Sequence, residues 1–380
     1  MRAVQVDPSS AKDRPSLDGQ AGHWSPPVKE TDGDIWASVD RLIDRGPPLP
    51  GLRAHRLHLL AARRWTALGR PLPPQLMAEV RTSGLFTLLA PMILERARAA
   101  YDGPMALMKG LEVAALYPDP ALRPFHDVDL LVADAAEAHR ALISAGFQPV
   151  AKPDAYYADL HHLRPLCWPA LPLVVEIHKR PEWPTWTAPP ATEELLSAAI
   201  PASAGVDGLQ TLAPSHHALV LAAHSWTEAP LRRALDLVDV AAVSAGQDRD
   251  ELGRLARRWD IGGVWDAMIA AADALLFEAP TPWAMRLWAR DLLYVRDRTV
   301  LENHVRRVVS SFWALPPRRA LRASAHALVR EVRPAPGESR GAKLARARRA
   351  IANPFAPLSE HNHALEHRAE AFRSSERNHR

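Results

Sequence analysis

The chain has 380 residues, 47 % of them hydrophobic and 24 % charged, which is ordinary for a soluble globular protein and enough for a large core or two domains. Its net charge of +4 comes mostly from arginine and, spread over this length, does not argue for nucleic acid. One cysteine, Cys167, excludes an internal disulfide and fits a reducing cytoplasm; no uninterrupted apolar run of about 18 residues predicts a membrane span, and the opening residues lack the apolar stretch of a signal peptide.

Residues 1–33 are rich in Pro, Ser, Asp and Gly without apolar periodicity, and read as a disordered leader. A helical segment is expected over 34–102. Ile35, Val39, Leu42 and Ile43 form one helical stripe, GPPLPG breaks it, and 52–68 predicts a second helix. A third spans 74–101, broken or kinked at Pro91. The pattern changes at Gly103-Pro104. Residues 105–108 read as a buried strand ending in a Lys109-Gly110 turn, 111–117 as one or two helical turns, and 128–132 as a second strand. Asp134 caps a helix that runs to Ala145 and is closed by Gly146. Residues 171–178 read as a third strand, with a hairpin partner within 160–168. An α/β core is thus expected over 103–187. After the Pro- and Trp-rich stretch PEWPTWTAPP, helical spacing returns at 192–199, 215–226, 231–244 and 249–259, giving a helical domain over 188–332. Residues 333–380 read as a basic, polar, flexible tail. The expected class is α+β: a small mixed sheet flanked by N-terminal helices and a C-terminal helical domain.

The acids carry the chemistry. Asp127 and Asp129 stand at the entry of the second strand, in RPFHDVDLLV. Residues i and i+2 of a strand share a face. Two neighbouring carboxylates repel each other and resist desolvation. A divalent cation removes both objections, and magnesium prefers oxygen ligands from one or two carboxylates plus substrate phosphates. The bland reading of such a pair is a solvated loop, but three features weigh against it. Gly110 lets backbone N–H groups approach a phosphate. Glu176 is a lone acid in the apolar run LPLVVEIH and needs a partner. The order strand, glycine turn, helix, acid-pair strand, helix, acidic strand is consistent throughout.

The run LMKGLEVAALYPDPALRPFHDVDLLV, followed by a helix, AGF and VVEIHKR, resembles an uncharacterised bacterial nucleotidyltransferase family of the DNA polymerase beta type superfamily, over residues 105–180. The resemblance implies a mixed sheet with flanking helices, Mg²⁺-dependent binding of a nucleoside triphosphate (NTP), with Mn²⁺ as the alternative ion, and transfer of a nucleoside monophosphate to a hydroxyl with release of pyrophosphate. By motif, Gly110 belongs to the phosphate turn, Asp127 and Asp129 are the metal pair, and Glu176 is the third acid; these three acids are the catalytic and metal candidates. Lys109 and Arg123 are candidates to neutralise phosphate charge, Arg123 alternatively to pair with an Asp. His178 shares the face of Glu176 and is a candidate for the nucleotide site. The sequence departs from the superfamily at Gly110, which is followed by Leu111 and Glu112 rather than Gly or Ser, so a hydroxyl contact to the triphosphate is missing.

The acceptor is left open among a small molecule, a protein side chain and an RNA end. A second class of function is a degenerate relative that binds nucleotide or a partner protein as a regulator. A third is nucleic-acid binding through the basic segment RGAKLARARRA. Elsewhere, His217 and His224 lie on one helix face, Asp236 and Asp239 stand one turn apart, and Trp168, Trp183 and Trp186 either stack on a base or fill the core.

Overall fold

The computed structural model describes residues 34–150, 154–169, 171–334 and 339–359; the expected leader and the last part of the tail lie outside them. Asp34 caps α1 (Ile35–Asp44) by accepting the Trp36 N–H at 3.0 Å, and the predicted stripe of Val39, Leu42 and Ile43 is buried. Where one helix is expected over 52–68, the chain forms two, α2 (Leu49–Ala54) and α3 (His58–Ala67), with Arg56 at φ 56° between them. The prolines before Gly51 do not delay α2, because a proline in the first turn lacks only an N–H that has no intrahelical acceptor. α4 (Pro74–Ala100) passes through Pro91 as one helix. By length and composition α4 is apolar enough to cross a membrane. Its face of Phe86, Ala90, Ile93, Leu94 and Ala97 is buried in a hydrophobic core on either side of the proline, which holds the helix together there.

β1 (Met105–Leu107) and α5 (Leu111–Ala114) flank the Lys109-Gly110 turn, and β2 (Asp127–Val132) follows. α6 (Ala135–Ser144) starts at Asp134, whose carboxylate accepts the Glu137 N–H at 2.8 Å, and Gly146 leaves it at φ +105°. Then come β3 (Gln148–Pro149), β4 (Leu166–Cys167), β5 (Val174–His178), α7 (Thr192–Ser197), β6 (Ile200–Pro201) and β7 (Gln210–Thr211). The helical part comprises α8 (Pro214–Glu228), α9 (Ala234–Ser244), α10 (Arg249–Arg258), α11 (Gly262–Leu276), α12 (Trp283–Trp288), α13 (Arg290–Tyr294), α14 (Val300–Val309), α15 (Ser311–Ala314), α16 (Pro317–Val332) and α17 (Arg340–Ala352).

Among the described residues the sheet has seven strands in the order β3-β4-β5-β2-β1-β7-β6. β2–β5 and β1–β7 are parallel and the other pairs antiparallel. The protein is therefore α+β with a mixed sheet, as the sequence predicts. β6 and β7 come from beyond residue 187 and complete the sheet. Two-residue strands carry no periodic signal; tertiary contacts hold them, such as Thr211 Oγ1 donating to the Leu107 carbonyl at 3.0 Å.

Alternation along the strands gives the sheet two different faces. Val128, Leu130 and Val132 of β2, with Val175 and Ile177 of β5, pack on α4 and α6. Each such side chain contributes roughly 1.5–3 kcal/mol by leaving water. Leu131, with Ala106 and Met108, turns to the other face and joins a core built with α1, α8, α9 and α11. Asp127, Asp129, Glu176 and His178 share the face of Leu131, so the acids look toward the helical part. A one-residue register slip would place Val128 where Asp129 stands, and burial of the apolar face resists it.

The end of the described chain returns to the body. The backbone N–H groups of Val300 and Leu301 donate to the carbonyls of Ala356 and Pro354 at 3.1 and 2.8 Å, and Leu358 N–H donates to Arg298 at 2.7 Å.

Candidate active site

β2 and β5 run parallel with Asp129 opposite Glu176 and Leu131 opposite His178. This register sets the acids side by side on one face. His178 Nε2 lies 2.9 Å from Asp129 Oδ1 and 3.6 Å from Glu176 Oε2. The Met108 N–H donates to the Asp129 carbonyl at 3.0 Å, which seats the end of β1 against β2. Lys109 follows, and its Nζ lies 3.1 Å from the same Asp129 Oδ1 and 3.2 Å from His224 Nε2 on α8. His224 Nδ1 in turn lies 2.8 Å from Glu182 Oε2, with His161 Nε2 3.8 Å from that oxygen. Asp129 and His178 are each 1 % exposed, while Glu176 keeps 22 % of its side chain open to solvent. Asp127 stands two residues before Asp129, partly buried at the strand entry.

Charge balance explains how three carboxylates tolerate this crowding. Burial pushes the Asp127 carboxyl up, and the neighbouring Asp129 carboxylate adds to the effect. Burial opposes ionisation of Asp129 too, yet Lys109 and the His178 hydrogen bond hold its carboxyl well below the usual range. Lys109 and His178 are both raised despite burial, Lys109 chiefly by Asp129 and Asp127, His178 chiefly by its bonds to Asp129 and Glu176. Glu182, partly buried, is held down at about 2 by His224 against the effect of burial, and burial holds His161 at about 3.

Asp129 Oδ2 is buried and has no hydrogen-bond partner among the described residues. Asp129, Glu176 and His178 each offer a ligand atom within 4.8 Å of the others. A buried carboxylate oxygen with unmet lone pairs, beside a second carboxylate, fits a divalent cation.

Gly110 lies at φ +65°, and a Cβ there would stand 3.1 Å from the Asp127 carbonyl oxygen. Its own carbonyl accepts from Arg123 Nη1 at 3.3 Å. Arg123 also grips Asp239 of α9 with two bonds, Nε to Oδ1 at 2.9 Å and Nη2 to Oδ2 at 2.8 Å. The Tyr117 hydroxyl donates to Asp239 Oδ1 at 2.6 Å. All three side chains are buried. Gly110→Ala is expected to destabilise the fold by about 1–2 kcal/mol through its positive φ and the close contact. It should also weaken nucleotide binding, as measured by urea unfolding and calorimetry. Unchanged values for both would mean that the turn tolerates a Cβ.

The structure therefore gathers Lys109, Asp129, Glu176 and His178 in one cluster, with Asp127 beside it and Arg123 behind the turn. Glu182 and His224 join the cluster without having been singled out as site residues. Glu182 is an isolated acid just after VVEIHKR, and its proximity to that strand is the signal available in the sequence. His217 is buried against the Met108 backbone, its pKa held down at about 4 by desolvation. Trp183 and Trp186 pack in the core with α1 and α8, and Trp168 packs edge-on against Phe147 with Arg96 over its ring.

An acid pair with a third acid on the adjacent parallel strand, beside a glycine turn on a mixed sheet, marks the nucleotidyltransferase class. The chain belongs to a family of uncharacterised nucleotidyltransferases, whose model matches residues 51–276, more than half of the sequence. Nucleotidyl transfer is accordingly its general activity and a nucleotide its substrate. No curated protein and no solved structure matches the chain.

Proposed function

We propose that this enzyme transfers a nucleoside monophosphate from an NTP to an acceptor hydroxyl in the cytoplasm. The observation that carries the proposal is Asp129, buried beside Glu176 with one carboxylate oxygen unmet among the described residues. Asp127, Asp129 and Glu176 would hold Mg²⁺, or Mn²⁺ as the alternative. When bound, such an ion supplies positive charge against the triphosphate.

The remaining roles fall to the chain's own groups. Lys109 and His178 fix Oδ1 of Asp129, which leaves Oδ2 directed to the site. Lys109 is placed to exchange its bond to Asp129 for one to a phosphate oxygen. The Gly110 turn offers its backbone to the triphosphate, and Arg123 supports that turn from behind instead of reaching the phosphates itself. Glu176, the more exposed of the two paired acids, is the group placed to take the acceptor proton. The acceptor oxygen bonds to the α-phosphorus, the bond from that phosphorus to the bridging oxygen breaks, and pyrophosphate leaves.

Calorimetric titration of each of the four NTPs with Mg²⁺ tests this directly. Metal-dependent binding is expected for the wild type and none for Asp127→Ala/Asp129→Ala. Equal binding by both proteins, or binding indifferent to the ion, would overturn the assignment.

A further inference from the structure

Three polar residues from distant parts of the chain are set into the fold in the same way. Lys109 is half-buried between buried Met108 and buried Gly110, and Glu182 is half-buried between buried Pro181 and buried Trp183. His224 is the one residue over 216–226 of α8 that is not buried. Their neighbours hold them in place. Ala218, Ala222 and Trp226 of α8 fill the core, and Trp183 packs edge-on against Trp259. Thr192 Oγ1 donates to the Lys179 carbonyl at 2.9 Å and ties down the segment that carries Glu182. Lys109 keeps 15 % of its side chain open, and His224 and Glu182 keep 21 % each. The three form a partly open row that ends on Asp129, unlike the closed pair of Arg123 and Asp239.

Donors and acceptors fix the order within this row. A lysine ammonium has three donors and no acceptor. His224 Nε2, 3.2 Å from Lys109 Nζ, therefore presents its lone pair to the lysine. Nδ1 then carries the ring hydrogen and donates it to Glu182 Oε2 at 2.8 Å. A carboxylate that accepts this hydrogen fixes both the tautomer and the tilt of the imidazole. His161 Nε2, 3.8 Å from the same oxygen, is too far for a hydrogen bond. Lys109 gives a second donor to Asp129 Oδ1 at 3.1 Å. Its third donor has no acceptor among the described residues. An imidazole lone pair directs the ammonium without cancelling its charge, which a carboxylate in its place would do.

We propose that Glu182 and His224 are a positioning pair for Lys109, holding its ammonium so that the third donor, and then the one now spent on Asp129, turn to the phosphate oxygens of the NTP. This rests on the nucleotidyl-transfer reading. His224 keeps its hold while the bond to Asp129 is exchanged, so the carboxylate is released without loss of the lysine's aim. A double-mutant cycle on the full chain tests the pair. Calorimetry with Mg²⁺ measures binding of the NTP that the wild type holds most tightly, and of inorganic tripolyphosphate, which has no base. Thermal melts check folding.

Lys109→Met should weaken both ligands by about 30-fold, and His224→Ala by about tenfold. Added to Lys109→Met, His224→Ala should cost less than about twofold more, because no ammonium is left to aim. His224→Gln keeps an acceptor where Nε2 stands and should return to within about threefold of the wild type. Glu182→Ala should weaken binding by about threefold, and by nothing further in the His224→Ala background. Losses from Lys109→Met and His224→Ala that add in the double variant overturn the pair as a support of Lys109. So does a Gln variant that binds no better than the Ala variant. A loss for the NTP with tripolyphosphate unchanged places His224 at the base and overturns the proposal as well. A wild type that binds no NTP with Mg²⁺ overturns it through failure of the nucleotidyl-transfer reading, whereas additive losses in a wild type that does bind NTP overturn the positioning pair alone.

Discussion

Asp129→Ala is expected to abolish nucleotidyl transfer, by at least about 10³-fold, and to destabilise the protein by about 3–5 kcal/mol. Two separate effects combine. Lys109 and His178 both bond to Asp129 Oδ1 in a buried setting, and truncation leaves the Lys109 ammonium and the His178 ring without their acceptor. Oδ2 is the group the proposed chemistry needs. Asp129→Asn separates these effects. It retains one acceptor oxygen, so the stability loss should shrink to about 1–3 kcal/mol, while activity stays lost. Urea unfolding and pyrophosphate release read the two quantities independently. An Asn variant that keeps a tenth or more of wild-type turnover would remove Asp129 from the reaction.

Arg123 and Asp239 provide the second large effect. Arg123→Met and Asp239→Leu should each destabilise the protein by about 3–5 kcal/mol, because each strands a buried charge. The double variant should recover a large part of the loss, since neither charge is then left alone. Arg123→Lys should not rescue, because an ammonium cannot make the two parallel bonds to the Asp239 carboxylate and also reach the Gly110 carbonyl. Nucleotide affinity distinguishes support of the turn from direct phosphate contact. If Arg123 acts through the turn, both single variants lose NTP affinity alike. A loss confined to Arg123→Met, with Asp239→Leu binding normally, would instead make Arg123 a phosphate ligand.

Local features of this fold were readable because their causes are local. Asp134 caps α6 with a bond three residues along the chain, and Gly146 ends it with a positive φ. Glu176 and the Asp-x-Asp pair stood out as charges in apolar strands, and the β2–β5 register brings Asp129 and Glu176 together. What stayed hidden depends on distant partners. Asp239 lies 116 residues from Arg123, and His224 lies 115 from Lys109; no periodicity in either segment encodes such a meeting. β6 and β7 escaped because two residues cannot display alternation. The split between α2 and α3 was hidden because Arg56 adopts a left-handed conformation usually marked by glycine or asparagine.

The buried bonds from Arg123 to Gly110 and Asp239 also set a minimum size for a working fragment. A piece cut after the Pro- and Trp-rich stretch would keep every acid of the cluster but lose Asp239, and with it the anchor behind the glycine turn. It would lose β6 and β7 as well, exposing the edge of β1. A shortened version that still binds nucleotide is therefore expected to extend through α9, so that the sheet keeps the helix that anchors its glycine turn.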